Sequence, residues 1–100
     1  MDKLRSMAVF VAVAETGSFA AAAQIEHLSA VMVGKHIKQL EDHLGARLLQ
    51  RDTRKQHLTE VGAAFLDDCR RILDQVRHAE SVAERMRDDN EPRGDRKSVV

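Results

Sequence analysis

The sequence predicts a mainly α-helical domain: three short helices, a small β-hairpin and one long helix. Three observations predict it. Apolar residues recur at helical spacing in three consecutive stretches between Asp2 and Leu44, separated by Gly17 and by the short "HLS". Two short runs, "RLLQR" and "QHLT", then flank a charged "DTRK" tip, the pattern of two paired strands. From Phe65 onward the apolar residues advance by alternating steps of 4 and 3, through Cys69, Ile72, Val76, Ala79, Ala83 and Met86, which is a heptad seam.

Residues 2–15 place Leu4, Met7, Ala8, Val11 and Ala14 on one helical stripe, and Val9, Phe10 and Val13 widen it, so this first helix should be covered on two sides. Gly17 suits the position past its end, and Ser18 the N-cap of a second helix, "FAAAAQIE". "HLS" makes a brief turn, Ser29 caps a third helix, and Gly45 terminates it after Leu44. Two short helices joined by such a turn make a helix-turn-helix, and a hairpin behind it makes a wing. Thr59 resembles the N-cap of the long helix, which should end near Asp89. The chain therefore divides into a winged helix-turn-helix over 1–59, a linker or dimerisation helix over 60–89, and a tail or junction over 90–100.

One hundred residues with 43% apolar content suit one domain with a modest core, a size at which domains often lean on oligomerisation. The longest apolar run, "MAVFVAVA", is too short to cross a bilayer and no cleavable leader precedes it, so a soluble cytoplasmic chain with no membrane partner is expected. A single cysteine, Cys69, agrees with a reducing compartment. The net charge is zero, so bulk charge offers no argument for a nucleic-acid partner. Its distribution does. Between Gly34 and His57 stand Lys35, Lys38, Arg47, Arg51, Arg54 and Lys55 against only Glu41, Asp42 and Asp52. The histidines and Cys69 are scattered, with no Cys pair and no His-x-x-x-His, so neither an enzyme nor a metal site is expected. His36 and His43 read as solvated or core-edge residues, and Asp74 with His78 as surface electrostatics.

The third helix poses the functional question. Stepping about 100° per residue, Val33, Ile37, Leu40 and Leu44 share the side that should be buried. Val31, Lys35, Lys38 and Asp42 lie opposite, flanked by Met32 and Gly34. Glycine costs about 1 kcal/mol against alanine in a helix interior, so something must press against that surface. An exposed helix start that is apolar, small and basic suits the major groove of DNA. Valine can touch a thymine methyl, lysine can reach guanine acceptors or a phosphate, and Gly34 would let the backbone come close. A protein-docking helix would instead use Val31 and Met32 as anchors. The basic hairpin tip favours DNA, because Arg51, Arg54 and Lys55 can follow the backbone or enter the minor groove. The seam on the long helix is narrow and its outer positions are charged, which predicts pairing with a second copy of the chain. Ala79 and Ala83 would permit close approach there, whereas Phe65 and Leu66 suit packing on the chain's own domain.

The run "SFAAAAQIEHLSAVMVGKHIKQLEDHLGARLLQRDTRKQHLTEVG" resembles the N-terminal winged helix-turn-helix domain of LysR-type transcriptional regulators. It carries the "S-F-x-x-A-A" second helix, the "L-S" turn, the "I-x-x-L-E-x-x-L-G" third helix, the "L-L-x-R-x-x-R" wing and "L-T-x-x-G" before the linker helix. The resemblance implies a bacterial repressor or activator whose paired linker helices hold two reading helices on an interrupted inverted repeat of double-stranded DNA. It implies base or phosphate contacts for Ser29, Ala30, Val31, Gly34 and Lys35, a backbone contact for Ser18, and wing contacts for Arg51 and Arg54. Many members have Gln, Pro or Ala, Ser and Arg where this chain has Ala30, Val31, Gly34 and Lys35. Gln and Arg bond bases bidentately, Ala and Gly cannot, and Lys offers a point charge. Direct readout should therefore lean on apolar contacts, with phosphate contacts and DNA shape carrying more of the recognition. Members usually continue into a larger effector-binding domain of the periplasmic-binding-protein type, and "EPRG" resembles the start of that junction. A small-molecule inducer would bind there, so no cofactor is expected within these 100 residues. The rival expectation is a short dimerising antiactivator that sequesters a full-length regulator through the seam without reading DNA.

Overall fold

The computed structural model describes residues 1–51 and 56–90. They form α1 (Lys3–Thr16), α2 (Phe19–Glu26), α3 (Ala30–Leu44), β1 (Leu49–Arg51), β2 (Gln56–Leu58) and α4 (Glu60–Asn90). This is the mainly helical winged helix-turn-helix with a long last helix that the sequence predicts. Arg54 and Lys55 at the hairpin tip, and the tail after Asn90, lie outside the described residues.

Each helix starts on a side chain that accepts an otherwise unpaired N–H. The Asp2 carboxylate takes that of Arg5, Ser18 Oγ that of Ala21, Ser29 Oγ that of Met32, and Thr59 Oγ1 that of Gly62. Such caps stabilise by about 1 kcal/mol each. α1 and α3 end on Gly17 and Gly45 in the left-handed region. α2 ends instead on His27, a non-glycine at φ 57°. The turn is held from outside: the Arg5 guanidinium donates to the Glu26 carbonyl at 2.6 Å and lies 3.9 Å from the Glu26 carboxylate. The start of α1 thus fixes the last turn of α2, a link that no spacing in the sequence announces.

α1 packs against α2, α3 and α4, which is why its apolar surface is wider than one stripe. Phe10, Val9 and Val13 meet Ala22 and Ala23 of α2, Val33, Ile37 and Leu40 of α3, and Leu66 and Cys69 of α4 in one core. Leu44, expected on the buried side, is 40% exposed. After the Gly45 turn the chain supplies Leu48 and Leu49, both fully buried, and these close the core at that end.

The strands are shorter than "RLLQR" and "QHLT", pairing only Leu49 with Leu58, Gln50 with His57 and Arg51 with Gln56. The residues before β1 spend their backbone groups elsewhere. Glu41 Oε2 of α3 accepts the N–H groups of Leu48 (2.8 Å) and Leu49 (3.2 Å), Thr59 Oγ1 donates to the Arg47 carbonyl, and the Thr59 N–H donates to the Leu48 carbonyl. Gly62 passes so close to that carbonyl that a Cβ built on it would sit 2.1 Å from the Leu48 oxygen. The wing, α3 and the start of α4 are therefore joined through one short stretch of backbone.

The heptad seam divides in two. Cys69, read from its spacing as a dimerisation residue, is 0% exposed within a single chain. Burial first, and Asp68 second, push its thiol up to about 11, so at neutral pH it is an uncharged core group. Phe65 is half-buried, its ring 5.8 Å from that of Phe10. The correction has a simple cause: the first three turns of α4 lie against α1, and the 4-3 spacing records a buried face without saying what buries it. Beyond them the seam is uncovered. Ile72 is 42% and Met86 59% exposed, Ala79 and Ala83 are exposed, and Val76 is half-buried. No helix among the described residues is long and apolar enough to cross a membrane.

Candidate nucleic-acid interface

α3 is held on three sides. Its core side carries Val33, Ile37 and Leu40. Toward α2, a Cβ at Gly34 would meet the Phe19 ring at 3.5 Å, an ordinary contact. Toward α1, His36 Nδ1 lies 2.9 Å from the Ser6 hydroxyl oxygen. Gly34 is half-buried on the α2 flank, so the surface that presses against it in the fold is an aromatic ring of the same chain.

The fourth side is open. Val31 is 74% and Met32 40% exposed, and Ala30, Lys35 and Lys38 are exposed with them. The two lysines differ. Lys38 Nζ lies 3.5 Å from the Asp42 carboxylate, which offsets its charge, whereas Lys35 has no ion pair among the described residues. Lys35 therefore carries the uncompensated charge of this face. Ser29 stands exposed at the N-terminal end of α3, where helix geometry leaves backbone N–H groups unpaired and the dipole favours an anion. Its Oγ accepts the Met32 N–H, and its hydroxyl hydrogen is left to donate. Ser18 is half-buried and knotted to Thr16, whose Oγ1 accepts the Ser18 N–H. Among the described residues α3 thus presents two apolar side chains, one ammonium without an ion pair and a helix N-terminus on one surface.

The wing is represented by Arg51, the last residue of β1, with exposed Arg47 before the strand. Arg54 and Lys55 lie outside the described residues, so the helix alone carries the observed geometry. On α4, Ile72, Val76 and Ala79 line a shallow apolar groove with Arg71 and Gln75. Arg71 at its rim pairs with Asp67 and Asp68, while Arg70 with Glu15 and Arg77 with Asp74 stand on the other side of α4. Asp74 is thus paired with Arg77, where spacing had suggested His78. Exposed pairs of this kind contribute little to stability. Among the described residues no three His, Cys, Asp or Glu side chains converge as a metal-binding group. His36, expected to be solvated or at the core edge, is half-buried against α1, and the sequence assigns no role to Glu41 or Arg5; the three fix α3 and the turn before it. Glu41 lay within the quoted "L-E-x-x-L-G" pattern, but its partners are backbone groups, which no residue pattern displays.

Residues 4–63 match the family model described as bacterial regulatory helix-turn-helix protein, lysR family. An HTH-type transcriptional repressor of Pseudomonas aeruginosa is 44% identical over 82 residues, covering 82% of this chain and 26% of that protein. The HTH-type transcriptional activator AaeR of Escherichia coli is 42% identical over 76 residues, covering 76% of this chain and 25% of its own length. The chain thus spans about a quarter of these relatives. Among solved structures, a CbnR DNA-binding-domain complex with DNA superposes with a TM-score of 0.77 at 38% identity, covering 83% of this chain and 95% of that one. A BenM DNA-binding-domain complex with benA site 1 DNA gives 0.79 at 32% identity, with 83% and 93% covered.

Proposed function

Because the chain belongs to the LysR family of bacterial regulatory helix-turn-helix proteins, we propose that it is a sequence-specific reader of double-stranded DNA in transcription regulation, working in the cytoplasm and catalysing no reaction. Two copies pair through Ile72, Val76, Ala79, Ala83 and Met86, and each lays the start of α3 in a major groove of one interrupted inverted repeat. Val31 and Met32 make apolar contacts with base edges, Lys35 reaches a guanine or a phosphate, and Ser18, Ser29, Ala30 and Gly34 approach the backbone. Lys38, tempered by Asp42, steers more than it specifies. Arg51, Arg54 and Lys55 of the wing follow the backbone or the minor groove. An inducer would be bound by a further domain of the kind that the longer relatives have room for.

The observation that carries this reading is the uncovered Val31, Met32 and Lys35 surface on a helix gripped on its three other sides. A helix fixed in that way offers a rigid probe whose exposed face has no use inside the domain. Selection of bound duplexes from a random pool tests it. Enrichment of an interrupted inverted repeat, weakening steeply as salt rises, is the expected result. If a folded, dimeric chain enriches nothing, the seam-mediated antiactivator takes its place, since that reading uses the Ile72–Met86 surface and leaves α3 idle.

A further inference from the structure

We propose that His36 is a further DNA ligand, its Nε2–H held outward by the buried Ser6 hydroxyl and donated to a backbone phosphate on the α1 side of the groove. The inference rests on the DNA-reading function above and extends it to a residue that neither the family pattern nor the helix spacing had assigned.

Ser6 is 0% exposed, and among the described residues its Oγ has one partner, His36 Nδ1 at 2.9 Å. A buried hydroxyl is best satisfied when its hydrogen reaches an acceptor, and among the described residues Nδ1 is the one within reach. In the proposed arrangement Ser6 donates to Nδ1, which leaves the ring's own hydrogen on Nε2. Nε2 has no partner among the described residues. The imidazole is half-buried, following Lys35 directly and lying one turn beyond Met32, between the core stripe and the open face. It is thus a fixed donor at the edge of the reading surface.

The two edges of α3 are unlike each other. On the α2 side Gly34 leans on Phe19, beside the Ser18-capped start of α2. On the α1 side His36 stands at the boundary, hydrogen-bonded to α1. A helix in the major groove is bordered by a phosphate backbone on each side, while the bases lie beneath its centre. A donor at the edge faces phosphate oxygens. Ser6 acts as a positioning residue: it selects which ring nitrogen carries the hydrogen and which way the ring points.

The experiment uses the full chain and the duplex most enriched in the random-pool selection. Each phosphate is replaced in turn by a neutral methylphosphonate, and binding is measured for the wild type, His36→Ala, His36→Gln and Ser6→Ala. His36→Ala should bind about tenfold more weakly, the scale of one hydrogen bond to a charged group. His36→Gln, which keeps an outward N–H, should recover most of that loss. One methylphosphonate position should weaken the wild type about tenfold and leave His36→Ala unaffected. Nitrogen-15 spectra of the histidine rings should show His36 with a bare Nδ1 and a protonated Nε2, an arrangement lost in Ser6→Ala. Affinity of His36→Ala within twofold of wild type overturns the proposal. So does a loss with an unchanged methylphosphonate profile, which would mean that His36 acts through packing, and so does a spectrum with the hydrogen on Nδ1. If the wild type enriches no duplex, the DNA-reading function itself fails and carries this contact with it.

Discussion

Gly62→Ala should destabilise the domain by about 3 kcal/mol, at the upper end of what an extra methyl group costs in a packed site. The Cβ would stand 2.1 Å from the Leu48 carbonyl oxygen, 3.0 Å from its carbon and 3.2 Å from its Cα. These are backbone atoms and cannot rotate away. The Leu48 carbonyl is held by the Thr59 N–H and the Leu48 N–H by the Glu41 carboxylate, so relief requires α4 to withdraw from the wing. For a domain of this size the loss corresponds to a fall in Tm of roughly 12–24 °C. Thermal unfolding followed by circular dichroism reads it, and a Tm within a few degrees of wild type would show that the approach is looser than the geometry states. Gly34→Ala is the control. There the Cβ meets only the far edge of the Phe19 ring at 3.5 Å, and the helix gains propensity, so stability should hold or rise by up to about 1 kcal/mol.

Val76→Asp should leave the head folded and separate the pair. Val76 stands on the α4 seam between Ile72 and Ala79, beyond the Phe65–Cys69 stretch that anchors the helix to its own core. In a paired seam two carboxylates would be brought together in an apolar contact, where charge is costly. Sedimentation should give a dimer for the wild type and a monomer for the variant, with the helical signal retained. Affinity for the full inverted repeat should fall by about a hundredfold, because the second head then binds as an independent molecule rather than a tethered one. A dimeric Val76→Asp would mean that the copies meet through another surface.

The sequence carried most of the fold because its punctuation is local. Asp2, Ser18, Ser29 and Thr59 cap backbone groups three residues away, and Gly17 and Gly45 sit where the chain turns left-handed. These signals need no knowledge of tertiary structure. What escaped reading was long-range. Arg5 meets Glu26, Ser6 meets His36, and Gly62 meets Leu48, pairs separated by many residues and joined only once the helices cross. Periodicity misled at Cys69, where a single stripe has two partners: Cys69 faces the chain's own core, as Phe65 was expected to, while Ile72 to Met86 continue the same 4-3 spacing into the open. Leu44 shows the converse, an apolar residue in register with the core but at the helix end, where Leu48 and Leu49 take over the burial. The exposed surface of α3 was legible because Val31 and Lys35 fall opposite Val33 and Ile37 at helical spacing. The asymmetry between Lys35 and Lys38 was not, since it depends on where the Asp42 carboxylate settles.

In the proposed assembly two copies joined along α4 hold two α3 helices on one DNA molecule at a fixed separation. The most direct measurement compares binding to the enriched inverted repeat with binding to the same repeat carrying five extra base pairs between its halves. The insertion turns one half-site by about half a helical turn, away from its reading helix. Affinity should fall to that of a single half-site, with two chains bound on the original duplex. Equal affinity for the two duplexes would rule out this assembly, because heads that ignore the phase of their half-sites are not held by a common seam.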